Sequence, residues 1–274
     1  MISSALPNTC KEVIDMSDQQ APKLKTLFWA FKLLECFDQE HGRRSVTELS
    51  KLTSIPKSSV WNALQTFEQL GYVRKHGATG QYSLGPKTLC LYHAYCATNS
   101  DAMLYQRECR ILSDRTNAIV HVGARVDDKL ICLANAYPPR YSQTTLPGGA
   151  FPFHATAIGK SILAFMDESQ QERILADGLP SFTRSTITNR EKLEDNLKIV
   201  RRRDYAVDFM EYEYGMCSVA VPLWRNNTDH TQVPKYAISM TVPAEKLTDD
   251  QVLDYVKIIR DTHKEIRMQI SADS

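Results

Sequence analysis

The stretch from Ser45 to Gly71 constrains the fold of this 274-residue chain more than any other, because it has room for two short helices joined by a tight turn. Ser45 and Glu48 have the spacing of a capping box, in which each side chain accepts a hydrogen bond from the other residue's amide at a helix start. Ser54 favours a turn, Pro56 suits the first position of a second helix, and Gly71 suits a left-handed residue after it. The stretch predicts a helix-turn-helix, with a plain αα-hairpin as the alternative.

The second predicted helix carries side chains that are candidates for contacts with DNA. Its apolar stripe runs at helical spacing from Val60 to Leu70. The side chains that face the other way, near the helix start, are Lys57, Ser58, Ser59, Trp61, Asn62 and Gln65. A helix with hydrogen-bonding groups at its start fits the major groove, where such groups contact base edges.

A hairpin is predicted directly after the two helices. Tyr72–Arg74 and Gln81–Leu84 flank a tip rich in glycine and read as two short strands. Helix, turn, helix and hairpin together are the pattern of a winged helix, which disfavours the plain αα-hairpin. Arg74 and Lys75 lie on the wing, where cations suit phosphates beside the groove. Arg44, which precedes the first helix of the helix-turn-helix, is a further candidate for a phosphate contact, with a solvated loop as the alternative.

The basic charge of the chain is concentrated on this module. Lysine and arginine outnumber aspartate and glutamate two to one between residues 20 and 90, although the net charge of the whole chain is only +1. Such a surplus is the electrostatic footprint of a DNA-binding module. Residues 1–22 lack periodicity and are predicted to be a mobile tail. A helix capped by Thr26 should follow. The apolar side chains with which it should cover the other two helices are Leu27, Ala30, Phe31, Leu34 and Phe37.

The segment after the wing is predicted to be a linker helix. Its apolar residues between Leu89 and Tyr95 are too many for a solvated linker, so a second copy of the chain is an expected partner. Cys90, His93 and Cys96 have helical spacing, but zinc requires three or four convergent ligands. We therefore predict no metal, and the sequence leaves open whether these three do more than pack. The predicted domains are a tail at 1–22, a winged helix-turn-helix at 23–85, a linker helix at 86–100 and an effector-binding domain at 101–274.

Beyond the linker, helical and strand patterns alternate in a way that predicts an α+β domain. Helices are predicted at 101–115, from near Thr156 to about Met166, at 169–175, at 190–203 and after Thr248. Strands are predicted at 118–125, 129–136, 205–208, 218–224 and 235–242. The chain lacks a dinucleotide-binding glycine pattern and a P-loop, so no cofactor is predicted.

The seven cysteines show no disulfide-framework spacing, and no apolar run approaches the length of a membrane span. Together with the lack of a signal segment, these features predict a cytoplasmic protein.

Several motifs, in this order and spacing, resemble the IclR family of bacterial transcriptional regulators from about Leu24 to Ile270. In the first domain they are Ile55–Val60, Leu64–Thr66, Leu70–Val73 and Tyr82–Gly85. In the second they are His154–Lys160, Asp204–Asp208, Gly215, Ser218–Pro222 and Ala237–Ser239. The resemblance implies an N-terminal winged helix-turn-helix plus a C-terminal GAF-like effector-binding domain with an antiparallel sheet, assembled as a homodimer or homotetramer. It also implies binding of double-stranded operator DNA and of a small-molecule effector. The expected function is repression of a catabolic operon in response to a small organic acid or similar metabolite, although the sequence leaves the sign of regulation open.

The chain departs from the family pattern at three places. Asn62 stands where the family usually has an arginine on the recognition helix, so an operator sequence cannot be transferred by analogy. Ser218 stands where a cysteine is common, with Cys217 one position earlier. The loop from Arg225 to Pro234 is longer than usual.

The resemblance places the effector pocket between a helix start and several strand positions. The residues it implies are Ala157, Ile158, Asp208, Met216, Ser218, Ser239 and Thr241. The chemistry supports a ligand with an anionic group, because the first amides of a helix have no partner within it. Asp208 can accept a hydrogen bond from a ligand hydroxyl. The competing interpretations are that Ser239 and Thr241 are ordinary sheet residues, that Asp208 caps a loop and that His154 is structural.

An enzyme with a winged-helix appendage is the alternative function. His121, His154 and Asp208 would be its acid–base groups. The sequence contains no nucleophile elbow, no closely spaced carboxylate pair and no metal-binding motif that would support it. We therefore predict that the chain is not an enzyme.

Overall fold

The computed structural model describes residues 23–38, 41–224 and 233–272. The predicted tail at 1–22 lies outside these ranges, as does most of the loop expected to be long, from Arg225 to Pro234. Two compact units are separated between Thr98 and Asn99. Among the helices within the described ranges, none is both long and apolar enough to cross a bilayer.

In its described residues, the N-terminal unit has four helices and a two-stranded hairpin. The elements are α1 (Lys25–Glu35), α2 (Val46–Thr53), α3 (Lys57–Gln69), β1 (Val73–Lys75), β2 (Tyr82–Leu84) and α4 (Lys87–Thr98). The capping box at the start of α2 is present: Glu48 N donates to Ser45 Oγ over 3.2 Å, and Ser45 N donates to Glu48 Oε2 over 2.7 Å. Ser54 occupies the left-handed region between α2 and α3, which makes the turn tight.

Two details of this unit differ from the sequence prediction. Pro56 is the residue before α3 rather than its first residue, and Thr26 lies inside α1, which begins without a side-chain cap. The core is formed by Leu33, Cys36, Phe37, Leu49, Val60, Leu64, Phe67, Val73 and Tyr82. Leu27 and Phe31, which were expected to cover α2 and α3, are each 53% exposed. The other three predicted residues do contact the core: Phe37 belongs to it, and Ala30 and Leu34 pack against it. Leu33 and Cys36 were not predicted.

The described part of the C-terminal unit is built on one antiparallel sheet of six strands. The strands are β3 (Ile119–Val126), β4 (Lys129–Ala136), β5 (Ala150–Phe151), β6 (Ala206–Phe209), β7 (Met216–Leu223) and β8 (Tyr236–Pro243). Their order across the sheet is β5-β4-β3-β8-β7-β6. The α+β class with a C-terminal antiparallel sheet, predicted from the sequence, is confirmed.

Helices cover both faces of this sheet. They are α5 (Ser100–Thr116), α6 (Ala157–Leu163), α7 (Glu168–Ile174), α8 (Arg190–Arg203) and α9 (Asp249–Ala272). One apolar cluster joins α5 and α9 to one face, and a second joins α6 and α8 to the other. Both faces are therefore covered by helices, which explains why most residues of β3 and β7 are buried.

The seven-residue helix α6 is completely buried. Gly159 permits this, because a Cβ at this position would lie 2.5 Å from the Cα and the carbonyl oxygen of Phe153. Backbone atoms cannot move aside as a flexible side chain can, so only glycine fits. The predicted start of this helix near Thr156 is confirmed, because Thr156 is its N-cap, but the helix ends at Leu163 rather than near Met166.

Candidate functional site

A cavity of about 60 Å³ opens in the C-terminal unit between the start of α6 and the sheet. All seven residues implied by the family resemblance line it, namely Ala157, Ile158, Asp208, Met216, Ser218, Ser239 and Thr241. The other lining residues are Ile119, His121, Tyr137, Thr144, Thr145, Phe151, Thr156, Tyr212 and Glu213. The cavity is thus small, mixed in polarity and lined by the start of α6, five strands and the segments after β4 and β6.

Strand register brings the polar side chains of the cavity together. Ser218 lies opposite both Asp208 on β6 and Thr241 on β8. The hydroxyls of Ser218 and Thr241 are 2.9 Å apart and form a hydrogen bond. On the next strand, His121 lies opposite Ser239. Side chains at alternate positions share a face of the sheet, so these residues form one polar wall.

The start of α6 forms the opposite wall. Thr156 Oγ1 accepts a hydrogen bond from Gly159 N over 3.1 Å and donates one to Pro152 O over 2.7 Å. This cap satisfies one of the amides that a helix start leaves unpaired. The amides of Ala157 and Ile158 precede the first intrahelical hydrogen bond and have no acceptor within the helix. Two donors are therefore placed at the cavity without a helical partner.

Sequence reasoning missed a group of residues that closes one side of the cavity. The Tyr137 hydroxyl lies 2.9 Å from His121 Nε2 and 3.3 Å from Thr144 Oγ1, and it accepts a hydrogen bond from Thr145 N over 3.1 Å. Asn135 Nδ2 donates to Thr145 O over 2.7 Å. One phenol thus fixes the segment after β4 to the sheet. Burial lowers the pKa of His121 to about 4, so its imidazole is neutral at physiological pH.

Two buried charges behind the cavity were also missed. Lys160 Nζ donates to Glu211 Oε1, and both side chains are buried. Only the lysine is visible as part of a sequence motif; its partner lies 51 residues later. Asp208, next to this pair, has its pKa raised to about 7, chiefly by burial and further by the charge of Glu211. Burial also raises the pKa of Glu213 in the cavity wall.

The residues proposed for the enzyme alternative do not form a catalytic group. His154 Nε2 lies 2.9 Å from the carbonyl oxygen of Pro180, and its ring packs on Phe182. It does not line the cavity that contains His121 and Asp208. Within the described ranges, no cluster of three histidine, cysteine or acidic residues could hold a metal ion. Cys90 and His93 are exposed on α4, and Cys96 is half-buried.

The DNA-facing surface predicted from the sequence is exposed along the start of α3 and on the wing. Lys57, Ser58, Ser59, Trp61 and Asn62 are all exposed on the helix. The wing residues Arg74 and Lys75 are exposed as well. These seven residues therefore remain available to a partner in the N-terminal unit.

Two other predicted DNA contacts have partners inside the module. Gln65 Nε2 donates to the Tyr82 hydroxyl over 3.1 Å, which ties α3 to the wing. Arg44 is only 6% exposed, and its Nε donates to Cys36 O over 2.6 Å. Its backbone also pairs with Tyr82. The structure thus places Arg44 at the junction of α1 and the hairpin rather than on the surface.

Two family models match this chain. The model described as the IclR helix-turn-helix domain matches residues 26–77, and the model described as bacterial transcriptional regulator IclR C-terminal matches residues 102–268. The second match alone covers more than half of the chain.

The chain belongs to the IclR family. It is therefore a ligand-responsive, DNA-binding transcriptional regulator and not an enzyme.

Relatives and solved structures agree with this assignment. The HTH-type regulator KdgR of Dickeya chrysanthemi is 30% identical over 270 residues, which cover 96% of this chain and 85% of that protein. An IclR-type regulator from Silicibacter superposes with a TM-score of 0.78 at 24% identity, covering 89% of this chain and 96% of that one. An IclR homologue from Microbacterium hydrocarbonoxydans, solved with 4-hydroxybenzoate, has a TM-score of 0.71 at 19% identity and covers 90% and 99% of the two chains. At these identities the two structures support the fold.

The hydrogen bonds of Tyr137 predict the behaviour of the segment that this residue holds. Tyr137→Phe keeps the ring but removes the hydroxyl that binds Thr145 N, Thr144 and His121. A hydrogen bond of this kind contributes about 1 kcal/mol, so the Thr145 amide should exchange with solvent deuterium roughly five to ten times faster. Tyr141→Phe is the matched control, because the Tyr141 ring lies against the Arg140 guanidinium. Unchanged exchange at Thr145 would contradict the contact.

Proposed function

We propose that this IclR-family regulator represses a catabolic operon and that its operator binding responds to a small organic acid or similar metabolite. The observation that supports this most is the cavity, which gathers polar and apolar side chains from α6 and five strands around one small enclosed space. Because operator DNA is the target, the protein works in the cytoplasm. The described cysteines are free thiols, which agrees with a reducing compartment.

Base contacts by the exposed start of α3 would supply operator specificity. Lys57, Ser58 and Asn62 present donors and acceptors there, and Ser59 and Trp61 flank them. Arg74 and Lys75 on the wing would bind phosphates, which contributes affinity but no sequence preference. Gln65 would contact a base only after giving up its hydrogen bond to Tyr82.

Replacement of Asn62 by alanine tests this assignment. Asparagine can pair bidentately with adenine, and such a pair discriminates against other bases by about 1–3 kcal/mol. Asn62→Ala should therefore relax the preference at one position of each half-site in a site-selection assay, with little change elsewhere. Gln69→Ala is the control, because Gln69 is an exposed amide at the far end of the same helix. An unchanged preference in the Asn62 variant would show that this side chain does not contact a base.

A small carboxylate fits the effector cavity in our proposal. Its oxygens would accept from the Ala157 and Ile158 amides, and its other polar groups would bind Ser218, Ser239 and Thr241, with Met216 supplying an apolar contact. The relative solved with 4-hydroxybenzoate supports this class of ligand, because 4-hydroxybenzoate is a small carboxylate. Ligand binding changes DNA affinity only through its differential affinity for the two states of the protein. A coupling of about 1–3 kcal/mol is typical.

A thermal-shift screen with small hydroxy acids, sugar acids and aromatic acids tests the ligand class. An acid present at 100 times its dissociation constant should add about 2.7 kcal/mol to the free energy of unfolding. Ala157→Asp should abolish this shift, because it places a negative charge where the carboxylate binds, and should leave operator binding intact. Ala157→Asn is the matched control for side-chain bulk and should retain part of the shift. A full response in the aspartate variant would place the ligand elsewhere.

A second copy of the chain is our proposed partner for the exposed apolar surface of the N-terminal unit. A groove of about 1330 Å³ is lined by α1, the end of α2 and the turn after it, α3 and the first part of α4. Leu24, Leu27, Phe31 and Leu70 in this groove are all more than half exposed. Apolar patches of this kind mark interfaces. A dimer would also present two recognition helices to half-sites about 34 Å apart.

Sedimentation at micromolar concentration tests the dimer. Phe31→Glu should shift the protein towards the monomer and weaken operator binding, because it places a carboxylate in the apolar groove. Val126→Glu makes the same kind of change at an exposed apolar residue of the C-terminal unit and should leave the assembly intact. A wild-type monomer that still protects a symmetric operator would overturn the proposal.

A further inference from the structure

The wall behind the effector cavity contains two buried carboxyl groups, those of Asp208 and Glu211, but one buried lysine, Lys160. Lys160 is fully buried, and Asp208 and Glu211 are only 4% and 6% exposed. Lys160 Nζ donates to one oxygen of Glu211, while the other, Oε2, is buried without a hydrogen-bond partner. The one lysine thus donates its hydrogen bond to Glu211; its charge also acts to lower the pKa of Asp208, but burial, which raises that pKa, has the larger effect. A buried carboxylate without a cation of its own is costly to ionise.

Asp208 is the other buried carboxyl group of this wall. Its Oδ1 accepts from the Glu211 amide over 2.6 Å, and the Tyr212 amide also donates to it. The titratable groups on the elements packed around it are Lys160 on α6, Glu211, Tyr212 and Glu213 after β6, Cys217 on β7 and His121 on β3. Lys160 is the one cation among these described groups, because His121 is neutral above pH 5.

An anionic ligand in this cavity would meet no side-chain cation. Neither lysine nor arginine occurs among the described residues that line it, whereas Asp208 and Glu213 do. A carboxylate effector would therefore lie beside an ionised Asp208, and two like charges in close contact repel strongly at low dielectric. The repulsion is removed when one carboxyl group carries a proton, as in paired carboxylates that share a site.

We propose that Asp208 binds the effector as a neutral carboxylic acid, donating a hydrogen bond to the effector's carboxylate, so that the site takes up one monocarboxylate together with one proton. The proton comes from solvent and remains bonded to Asp208, and no bond in the ligand is broken. This inference rests on the proposed function. It also changes the role expected from the sequence, in which Asp208 accepted a hydrogen bond from a ligand hydroxyl.

The burial that raises the pKa of Asp208 to about 7 makes this proton available near neutral pH. Below pH 7 the carboxyl group is already protonated, and carboxylate affinity should be nearly independent of pH. Above pH 7 a proton must be taken up on binding, so the dissociation constant should rise by up to about tenfold for each pH unit. The effector response would consequently weaken as pH rises from 7 to 9.

Carbon-13 NMR of the full-length protein, labelled at aspartate carboxyl carbons, tests the protonation directly. The Asp208 resonance is identified by its loss in Asp208→Asn. It should titrate near pH 7, and saturation with 4-hydroxybenzoate or glycerate as probe should move the titration to higher pH. A resonance that titrates below pH 5, or one that a bound probe leaves unmoved, would overturn the inference.

Calorimetry at pH 8 in phosphate and in Tris counts the protons taken up with each probe, because the two buffers differ in ionisation enthalpy. The wild type should take up close to one proton per ligand. Asp208→Asn should bind with an affinity independent of pH and with no proton uptake, since the amide is a permanent donor of similar shape. Glu213→Gln is the matched comparison, and the uptake should persist in it.

The outcomes separate this inference from the proposal on which it rests. Binding without proton uptake, or uptake that disappears in Glu213→Gln and persists in Asp208→Asn, overturns the role of Asp208 and leaves a carboxylate effector intact. If neither probe nor any other acid of the thermal-shift screen binds, the carboxylate effector itself is wrong, and this inference falls with it.

Discussion

Complete burial of α6 is the constraint on which the C-terminal unit depends. A buried helix start places amides and a lysine away from water, and each such group destabilises the fold unless it has a partner. Thr156 satisfies one amide, and Glu211 pairs with Lys160. Gly159 allows the helix to approach the preceding segment closely enough for these contacts. The cavity lies beside the remaining amides of the first turn of α6. The contacts that stabilise the domain therefore also shape its binding site.

Features that depend on neighbouring residues were predictable from the sequence. The capping box of Ser45 and Glu48 forms with both of its hydrogen bonds. The predicted helix at 190–203 has those same bounds as α8, between an asparagine cap and a left-handed aspartate. Alternating apolar residues located the main strands. The cavity residues are different, because they come from elements far apart in the chain, and only the family resemblance brought them together.

Features that depend on distant contacts were not predictable. The ion pair of Lys160 with Glu211 joins residues with no common motif, and the Tyr137 hydrogen bonds require the fold of the segment after β4. Arg44 resembled a solvated cation, because its neighbours in the sequence are polar, but a carbonyl oxygen of α1 binds it inside the module. Phe31 has the spacing of a core residue, yet in the described part of the chain it is half exposed.

The hydroxyl of Ser218 has a consequence for the chemistry of the cavity. A cysteine, which is common at this family position, would expose a thiol to any oxidant or electrophile that enters. No cysteine is among the described residues that line the cavity, and Cys217 is buried in the apolar cluster, where burial raises the pKa of its thiol and suppresses the reactive thiolate. Serine is not oxidised to a sulfenic acid. The described lining of the cavity therefore offers no thiol to an oxidant or to a thiol-modifying compound.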